Sequence, residues 1–136
     1  MKQLIKNEKD FAALILRVGF GFYLAFGHGL AKLQMVINGN FQFPELFGLP
    51  ASINLTLAML AEFFASLLVL IGFKTRLAAL PVVITMATAL FMVHLNDPMF
   101  GGDGTKEPAM MYLLGFVAIF LLGPGKYSID SAIKKK

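Results

Sequence analysis

Six ionisable side chains occur inside, or at the ends of, otherwise apolar stretches of this 136-residue chain: Arg17, His28, Lys32, Glu62, His94 and Glu107. Imidazole, ammonium, guanidinium and carboxyl groups donate or accept hydrogen bonds and move protons, so they are the groups through which the chain could do chemistry. In apolar surroundings such groups are costly unless a partner or water satisfies them. We therefore predict that these side chains face the interior of a helical bundle.

The composition predicts that the apolar stretches lie in a lipid bilayer. Hydrophobic residues make up 57% of the chain, charged residues only 15%, and the mean hydropathy is +0.73. Soluble domains carry about 25% charged residues, so the chain lacks the polar residues that a water-exposed surface requires. The charges, which sum to +4, lie at the ends of the apolar stretches and at the termini, which argues against nucleic-acid binding. No cysteine is present, which excludes disulfide exchange and thiolate-held iron–sulfur or zinc sites within this chain.

Four apolar stretches predict an all-α fold, a four-helix transmembrane bundle that forms a single domain over residues 1–136. The predicted spans cover residues 11–33, 51–73, 77–94 and 107–122. Each of the first two is long enough to cross about 30 Å of hydrocarbon at about 1.5 Å per residue, and the fourth is short. The first stretch is longer than the core of a secretory signal, so we interpret it as a retained span.

The lysine and arginine residues predict the orientation of the bundle. One side of the membrane would carry most of them: Lys2, Lys6, Lys9, Lys74, Arg76, Lys126 and Lys134 to Lys136. Only Lys32 and Lys106 would lie at or beyond the other face. Because positively charged flanks resist translocation, the richer side is predicted to be cytoplasmic, with both chain termini on it.

Helix rise predicts a pair of charges near the middle of the bundle. Counted from Phe11 and Phe73, Arg17 lies about 9 Å and Glu62 about 16 Å above the inner boundary. The difference of about 7 Å can be bridged by two long side chains. We therefore predict a buried Arg17–Glu62 ion pair between the first two helices, either as a structural clamp or as part of a functional relay.

A second polar layer is predicted near the outer face. His28 and His94 both lie at about 25 Å, and Lys32 and Glu107 belong to the same layer. We predict that these four residues form a polar pocket. The alternative is that the histidines are helix-end residues wetted by interfacial water and that Lys32 extends its ammonium group to the headgroups.

Several short motifs are spread over nearly the whole chain. They are residues 16–19 (LRVG), residues 27–33 (GHGLAKL), Glu62, residues 72–79 (GFKTRLAA), His94, Glu107 and residues 123–130 (GPGKYSID). Together they resemble the DoxX family of bacterial membrane proteins. The resemblance implies a four-helix transmembrane bundle in the bacterial cytoplasmic (inner) membrane. It also implies a link to quinones, because some members are subunits of thiosulfate:quinone oxidoreductases or of other membrane oxidoreductase systems.

The resemblance makes a quinone-interacting subunit of a membrane oxidoreductase our first hypothesis. A quinone needs an apolar slot for its ring, hydrogen-bond donors at its carbonyl oxygens and a route for protons. The predicted cofactor contacts are Arg17, His28, Lys32 and His94, and the predicted catalytic residues are His28, Glu62, His94 and Glu107. The chain has neither cysteine nor a flavin or nucleotide motif, so electrons would come from the substrate or from a soluble or membrane-bound oxidoreductase partner.

Two other functions remain open. In the first, the chain is a non-catalytic module that anchors or assembles partner proteins, and its basic C-terminal segment, Lys134 to Lys136, touches anionic lipid or a partner. In the second, His28 and His94 bind haem or a metal ion from equal depths on different helices. The preferred hypothesis assigns no residue to a metal and expects no covalently bound cofactor. Self-association is left open.

Overall fold

A computed structural model describes residues 2–102 and 104–135, without the side chains of residues 3–6. This part of the chain contains helices and no strand: α1 over residues 2–37, α2 over Ala51–Ile71, α3 over Thr75–Val93, α4 over Glu107–Leu122 and α5 over Ile129–Lys134. The predicted all-α fold is therefore confirmed. Lys136 and the side chain of Lys6, which entered the charge argument, lie outside the described residues. The cytoplasmic orientation of the termini stays a prediction.

The four long helices run alternately up and down and pack as a four-helix bundle. Each helix packs against the next one in the chain, and α4 also packs against α1. The described residues nearest the two termini therefore lie at one end of the bundle, here called the terminal side, where the backbone N–H of Lys126 donates to the carboxylate of Asp10 at 3.0 Å. The connections over residues 38–50 and 94–106 lie at the other end, here called the loop side.

The helices match the predicted spans closely, except that α1 extends beyond its span at both ends. Large apolar side chains point away from the bundle; Ile15, Leu77 and Leu121 are 67%, 64% and 70% exposed. Such exposure is expected where helices contact lipid instead of water. Residues 7–37 of α1, α2 and α3 are each long and apolar enough to cross a membrane, whereas α4 has only 16 residues.

Each of the first three helices contains a π-helical segment. These segments are Ala25–Gly29 in α1, Leu60–Ala65 in α2 and Ala89–Val93 in α3. A π turn holds an extra residue, which changes the direction of the side chains around it, and such turns are frequent at functional sites. His28 and Glu62 lie within their segments, and His94 directly follows the third. The helix irregularities therefore coincide with three of the predicted site residues.

Glycines allow the helices around these segments to approach closely. A Cβ atom added at Gly29 would lie 2.5 Å from the carbonyl oxygen of Glu62, and one at Gly21 would lie 3.0 Å from that of Ser66. Small residues at such contacts let two helix backbones meet without intervening side chains. The crossing of α1 and α2 therefore places the π segment of one helix against that of the other.

Candidate functional site

An ion pair between α1 and α2 lies at the centre of the candidate site. The Nζ atom of Lys32 donates to Oε2 of Glu62 at 2.6 Å, and the two side chains are only 19% and 7% exposed. Lys32 therefore turns into the bundle and does not extend to the headgroups. Because Lys32 holds the Glu62 carboxylate, the predicted ion pair between Arg17 and Glu62 is wrong.

Arg17 is buried at the terminal side, where it binds backbone carbonyls. Its guanidinium group donates to the carbonyl oxygens of Val69 and Leu70 at the end of α2, at 3.3 and 3.0 Å, and to that of Tyr127. The Arg17–Glu62 prediction failed because it assumed that Phe11 and Phe73 lie level. In the bundle Glu62 faces Gly29, which is about 18 Å further along α1 than Arg17.

A cavity of about 210 Å³ opens beside the Lys32–Glu62 pair on the loop side. His28 and His94 line the same cavity, so four of the predicted site residues meet there. Phe43 in the 38–50 connection also contributes to its wall. The cavity thus combines an ion pair, two imidazoles and an aromatic ring inside a bundle of apolar helices. We call it the polar cavity.

His94 reaches the polar cavity from the end of α3 and carries its own carboxylate partner. Its Nδ1 atom lies 2.6 Å from Oδ2 of Asp97, and the two side chains are 29% and 39% exposed. Such a bond orients the imidazole and leaves Nε2 as the remaining donor or acceptor. Asp97 was not among the predicted site residues, although its spacing of three residues from His94 was a usable signal.

Glu107 belongs to the rim of the loop side and not to the polar cavity. Its Oε2 atom accepts a hydrogen bond from the backbone N–H of Gly101 at 3.3 Å, so the carboxylate ties the 94–106 connection to the start of α4. Among the described residues, the cavity wall from this region is formed by Gly104, Thr105, Pro108 and Ala109. The predicted four-residue pocket therefore contains Glu62 in place of Glu107.

Tyr112 is a wall residue of the polar cavity that the sequence interpretation missed. Its ring meets the His28 ring edge to face, with centroids 5.5 Å apart. The Tyr112 ring also packs edge to face on Phe20. A phenol hydroxyl within an apolar span needs a polar neighbour, and this requirement was the signal that could have identified it.

A second cavity, about 480 Å³ in volume, lies between α1 and α4 and shares His28, Pro108 and Tyr112 with the polar cavity. Its other lining residues are apolar, apart from the phenol of Tyr23, and they include Ile15, Phe20 and Met111. We call this second cavity the apolar groove. It adjoins the polar cavity and borders the lipid-facing surface of the bundle, where Ile15, Tyr23 and Met111 are exposed.

The two motifs that follow α2 and α4 meet at the terminal side, away from the polar cavity. The Asp130 carboxylate accepts hydrogen bonds from the backbone N–H groups of Lys74 and Thr75, at 2.7 and 2.9 Å, and from the Thr75 hydroxyl at 3.0 Å. Partial burial raises the pKa of Asp130, but these hydrogen bonds and the charge of Lys134 outweigh it and hold the pKa below its ordinary value. These motifs therefore fasten the end of the bundle.

The polar cavity contains two imidazoles, those of His28 and His94, that could act as metal ligands. Among residues 2–102 and 104–135, no group of three or more His, Asp or Glu side chains is placed to hold a metal ion. His28 and His94 share the polar cavity, so ligation by two imidazoles stays a prediction that a visible spectrum can test.

The polar cavity can perform acid–base chemistry on a small ligand. Lys32 and the imidazoles supply hydrogen-bond donors, and Glu62 can hold or release a proton next to the Lys32 ammonium. Aromatic and aliphatic side chains, among them Phe43, Tyr112 and Leu24, form the rest of the wall. The cavity is therefore suited to a ring-shaped ligand that carries polar oxygens.

Comparison with known proteins identifies the family. A family model described as DoxX matches residues 12–95, more than half of the chain. A Haemophilus influenzae protein whose name assigns no function is 33% identical over 131 residues, which cover 90% of this chain and 83% of that protein. The Escherichia coli inner membrane protein YqjF is 37% identical over 103 residues, which cover 72% of this chain and 75% of that protein.

A more distant relative carries an enzymatic name. The Bacillus subtilis protein named "Putative oxidoreductase CatD" is 29% identical over 126 residues, which cover 93% of this chain and 90% of that protein. No solved structure matches the chain. The family match, the apolar helices and the inner-membrane relative lead to one conclusion: the chain belongs to the DoxX family and is a multi-pass protein of the bacterial cytoplasmic membrane.

Proposed function

We propose that this chain is a quinone-interacting subunit of a membrane oxidoreductase and that it binds the quinone ring in the polar cavity. The observation that carries the proposal is the convergence of His28, Lys32, Glu62 and His94 on one cavity inside a bundle of apolar helices. A quinone ring is apolar except for its carbonyl oxygens. Its binding site therefore needs an apolar wall for the ring and polar side chains for the oxygens.

The size and wall of the polar cavity suit a single ring. Its volume of about 210 Å³ is below the range of roughly 300–1,000 Å³ that is common for pockets of drug-sized ligands. In the proposed complex, His28 and Lys32 donate hydrogen bonds to the carbonyl oxygens of the ring. Phe43 and Tyr112 provide aromatic surface against which the ring can pack.

Reduction of a quinone to a quinol consumes two electrons and two protons, and the residues of the cavity can supply the protons. Glu62 lies at the cavity wall, next to the Lys32 ammonium. The partly exposed His94–Asp97 pair can pass protons between the cavity and the loop side. The electrons would come from the substrate or from an oxidoreductase partner, because the chain has no cysteine to hold a redox cluster. The name of the Bacillus subtilis relative supports an oxidoreductase setting.

Isothermal titration calorimetry on the purified protein in lipid nanodiscs tests the proposal. The probe is 2,3-dimethoxy-5-methyl-1,4-benzoquinone, a ring without a tail. We expect the wild type to bind it and His28→Phe to bind it roughly tenfold more weakly, because a hydrogen bond lost in a buried site costs about 1–3 kcal/mol. Phenylalanine keeps the aromatic contact with Tyr112 and removes only the donor. Lys9→Met, at an exposed position of the terminal side, should bind like the wild type. A wild type that does not bind the ring overturns the proposal.

The same samples distinguish the two alternative functions. A non-catalytic anchor or assembly module would fold normally and bind no quinone. Haem ligation would give a Soret band in the visible spectrum that disappears in His28→Phe and in His94→Phe, and a bound transition metal would appear in elemental analysis. Binding of the quinone probe without a Soret band or a bound metal supports the proposed function.

A further inference from the structure

The apolar groove adjoins the polar cavity and is open toward the lipid. It follows α1 from Ile15 to His28, which corresponds to about 20 Å along the helix axis. Its rim is formed by side chains that face outward; Ile15, Tyr23 and Met111 are 67%, 67% and 55% exposed. A molecule in the groove would therefore contact both the bundle and the surrounding acyl chains.

The groove and the polar cavity adjoin at the His28–Tyr112 pair. Both residues, together with Pro108, line both spaces. Beyond this pair the character of the wall changes from charged and polar to apolar. A ligand that extends from one space into the other must therefore have a polar ring at one end and a long apolar chain at the other.

Resting on the proposed function, we propose that the apolar groove holds the isoprenoid tail of a membrane quinone whose ring occupies the polar cavity. The quinone then reaches its site sideways, from the bilayer, between α1 and α4. A polar cavity of about 210 Å³ has no room for an isoprenoid tail, so the tail must leave through the wall of the bundle. The groove adjoins the cavity at His28 and provides the path for the tail.

The groove acts by giving the tail a path and not by attracting it. The tail comes from lipid, so moving it into the groove gains little from the hydrophobic effect and only modest packing energy. Blocking the groove should therefore prevent a tailed quinone from placing its ring. A tail-less quinone ring should be unaffected by the same block.

Gly19 offers a way to block the groove without disturbing the bundle. It lines the groove, and a Cβ atom added there would meet nothing within 4 Å, so a larger side chain has open space to enter. Gly27 provides the matched control. It lies on the same helix, its added Cβ would also meet nothing within 4 Å, and it is not among the groove residues.

The experiment compares wild type, Gly19→Leu and Gly27→Leu in lipid nanodiscs with two probes. One is the tail-less 2,3-dimethoxy-5-methyl-1,4-benzoquinone, and the other is the same ring with a four-isoprene tail. We expect Gly19→Leu to bind the tailed quinone at least tenfold more weakly than wild type and the tail-less ring equally well. Gly27→Leu should bind both like the wild type.

The outcomes separate this inference from the proposed function. If Gly19→Leu binds the tailed quinone as tightly as wild type does, the groove does not hold the tail and the inference is wrong. If wild type binds neither probe, the proposed function fails as well. Met111→Trp, which fills the groove from α4, repeats the test in case Gly19→Leu does not fold. Equal loss of both probes in both folded variants would also overturn the division between ring and tail.

Discussion

Gly29 of α1 lies directly against the backbone of Glu62 in α2, so that a Cβ atom on Gly29 would be 2.5 Å from the Glu62 carbonyl oxygen and 2.6 Å from the amide nitrogen of Phe63. Both helices are π-helical at this crossing. The contact leaves no space for a side chain between them, and one helical turn later Lys32 reaches Glu62. The backbone approach at Gly29 therefore positions the ion pair of the candidate site.

Gly29→Ala should push α1 and α2 apart at this crossing. We expect the variant to lose about 1–3 kcal/mol of stability, as is usual when atoms are forced into a filled interior. Gly27→Ala adds the same methyl group where it meets nothing within 4 Å. This variant should unfold at the same temperature as the wild type. Thermal unfolding in detergent measures both variants. Equal stability of Gly29→Ala and wild type would contradict the close crossing.

A double-mutant cycle should detect the ion pair between Lys32 and Glu62. Removing one partner leaves a nearly buried charge without its counterion, and such changes cost up to about 3–5 kcal/mol. We expect Lys32→Met and Glu62→Gln each to be strongly destabilised and the combined variant to be clearly more stable than the sum of the two losses predicts. Additive losses in the unfolding midpoints would show that the two side chains do not interact.

Arg17→Met should destabilise the terminal side without weakening quinone binding. The substitution leaves the carbonyl groups of Val69, Leu70 and Tyr127 without their donor. Each of these groups that stays buried and unpaired lowers the stability by about 1–3 kcal/mol. Arg76→Met is the matched comparison, because the exposed Arg76 also donates to two carbonyl groups, at the end of α4, and should matter less. Unfolding measurements and quinone titrations are made on the same samples. Weaker quinone binding by Arg17→Met at unchanged stability would assign Arg17 to the site after all.

The fold could be predicted because its determinants are local. Apolar stretches of sufficient length, lysine-rich ends and glycine–proline stops identify helices in a membrane protein with little reference to tertiary structure. The start of α4 at Glu107 follows from such signals, whereas the end of α2 at Ile71, before Gly72 with its φ of 76°, comes two residues earlier than predicted. The extension of α1 to residue 2 was not predictable in this way, because Lys2, Lys6 and Lys9 mark the end of the apolar stretch and not the end of the helix.

The pairing within the site could be predicted only in part. Helix rise alone placed His28 and His94 together, and both line the polar cavity. The same reasoning chose Arg17 over Lys32 as the partner of Glu62, because it had to assume how far α1 and α2 are shifted along each other. That shift is set by the contact between Gly29 and Glu62, and the π segments rotate the side chains further. Neither effect has a signature that hydropathy or spacing reveals.

Asp130 should make the stability of the protein depend on pH in the acidic range. Its pKa in the folded protein lies below the ordinary value, so the folded state favours the charged carboxylate. The charged carboxylate therefore stabilises the folded state. This stabilisation is present above the pKa of about 3.9 in the unfolded chain and is lost as the pH falls through the lower pKa of the folded protein. We expect Asp130→Asn to be less stable than wild type at pH 6, with the difference shrinking below about pH 4. Unfolding midpoints between pH 3 and pH 7 measure this difference, and Glu45→Gln, on the exposed 38–50 connection, is the control. A difference that does not change with pH would contradict the role of the carboxylate.

Photo-crosslinking with an azido-substituted quinone locates the ligand most directly. The purified protein is irradiated with the probe, digested with trypsin and analysed by mass spectrometry, with excess unlabelled quinone as competitor. We predict that competed label appears in the peptides over residues 18–32 and 77–106, which carry His28 and His94 at the polar cavity. Label confined to peptides of the terminal side, or label that unlabelled quinone does not displace, would contradict quinone binding in this cavity.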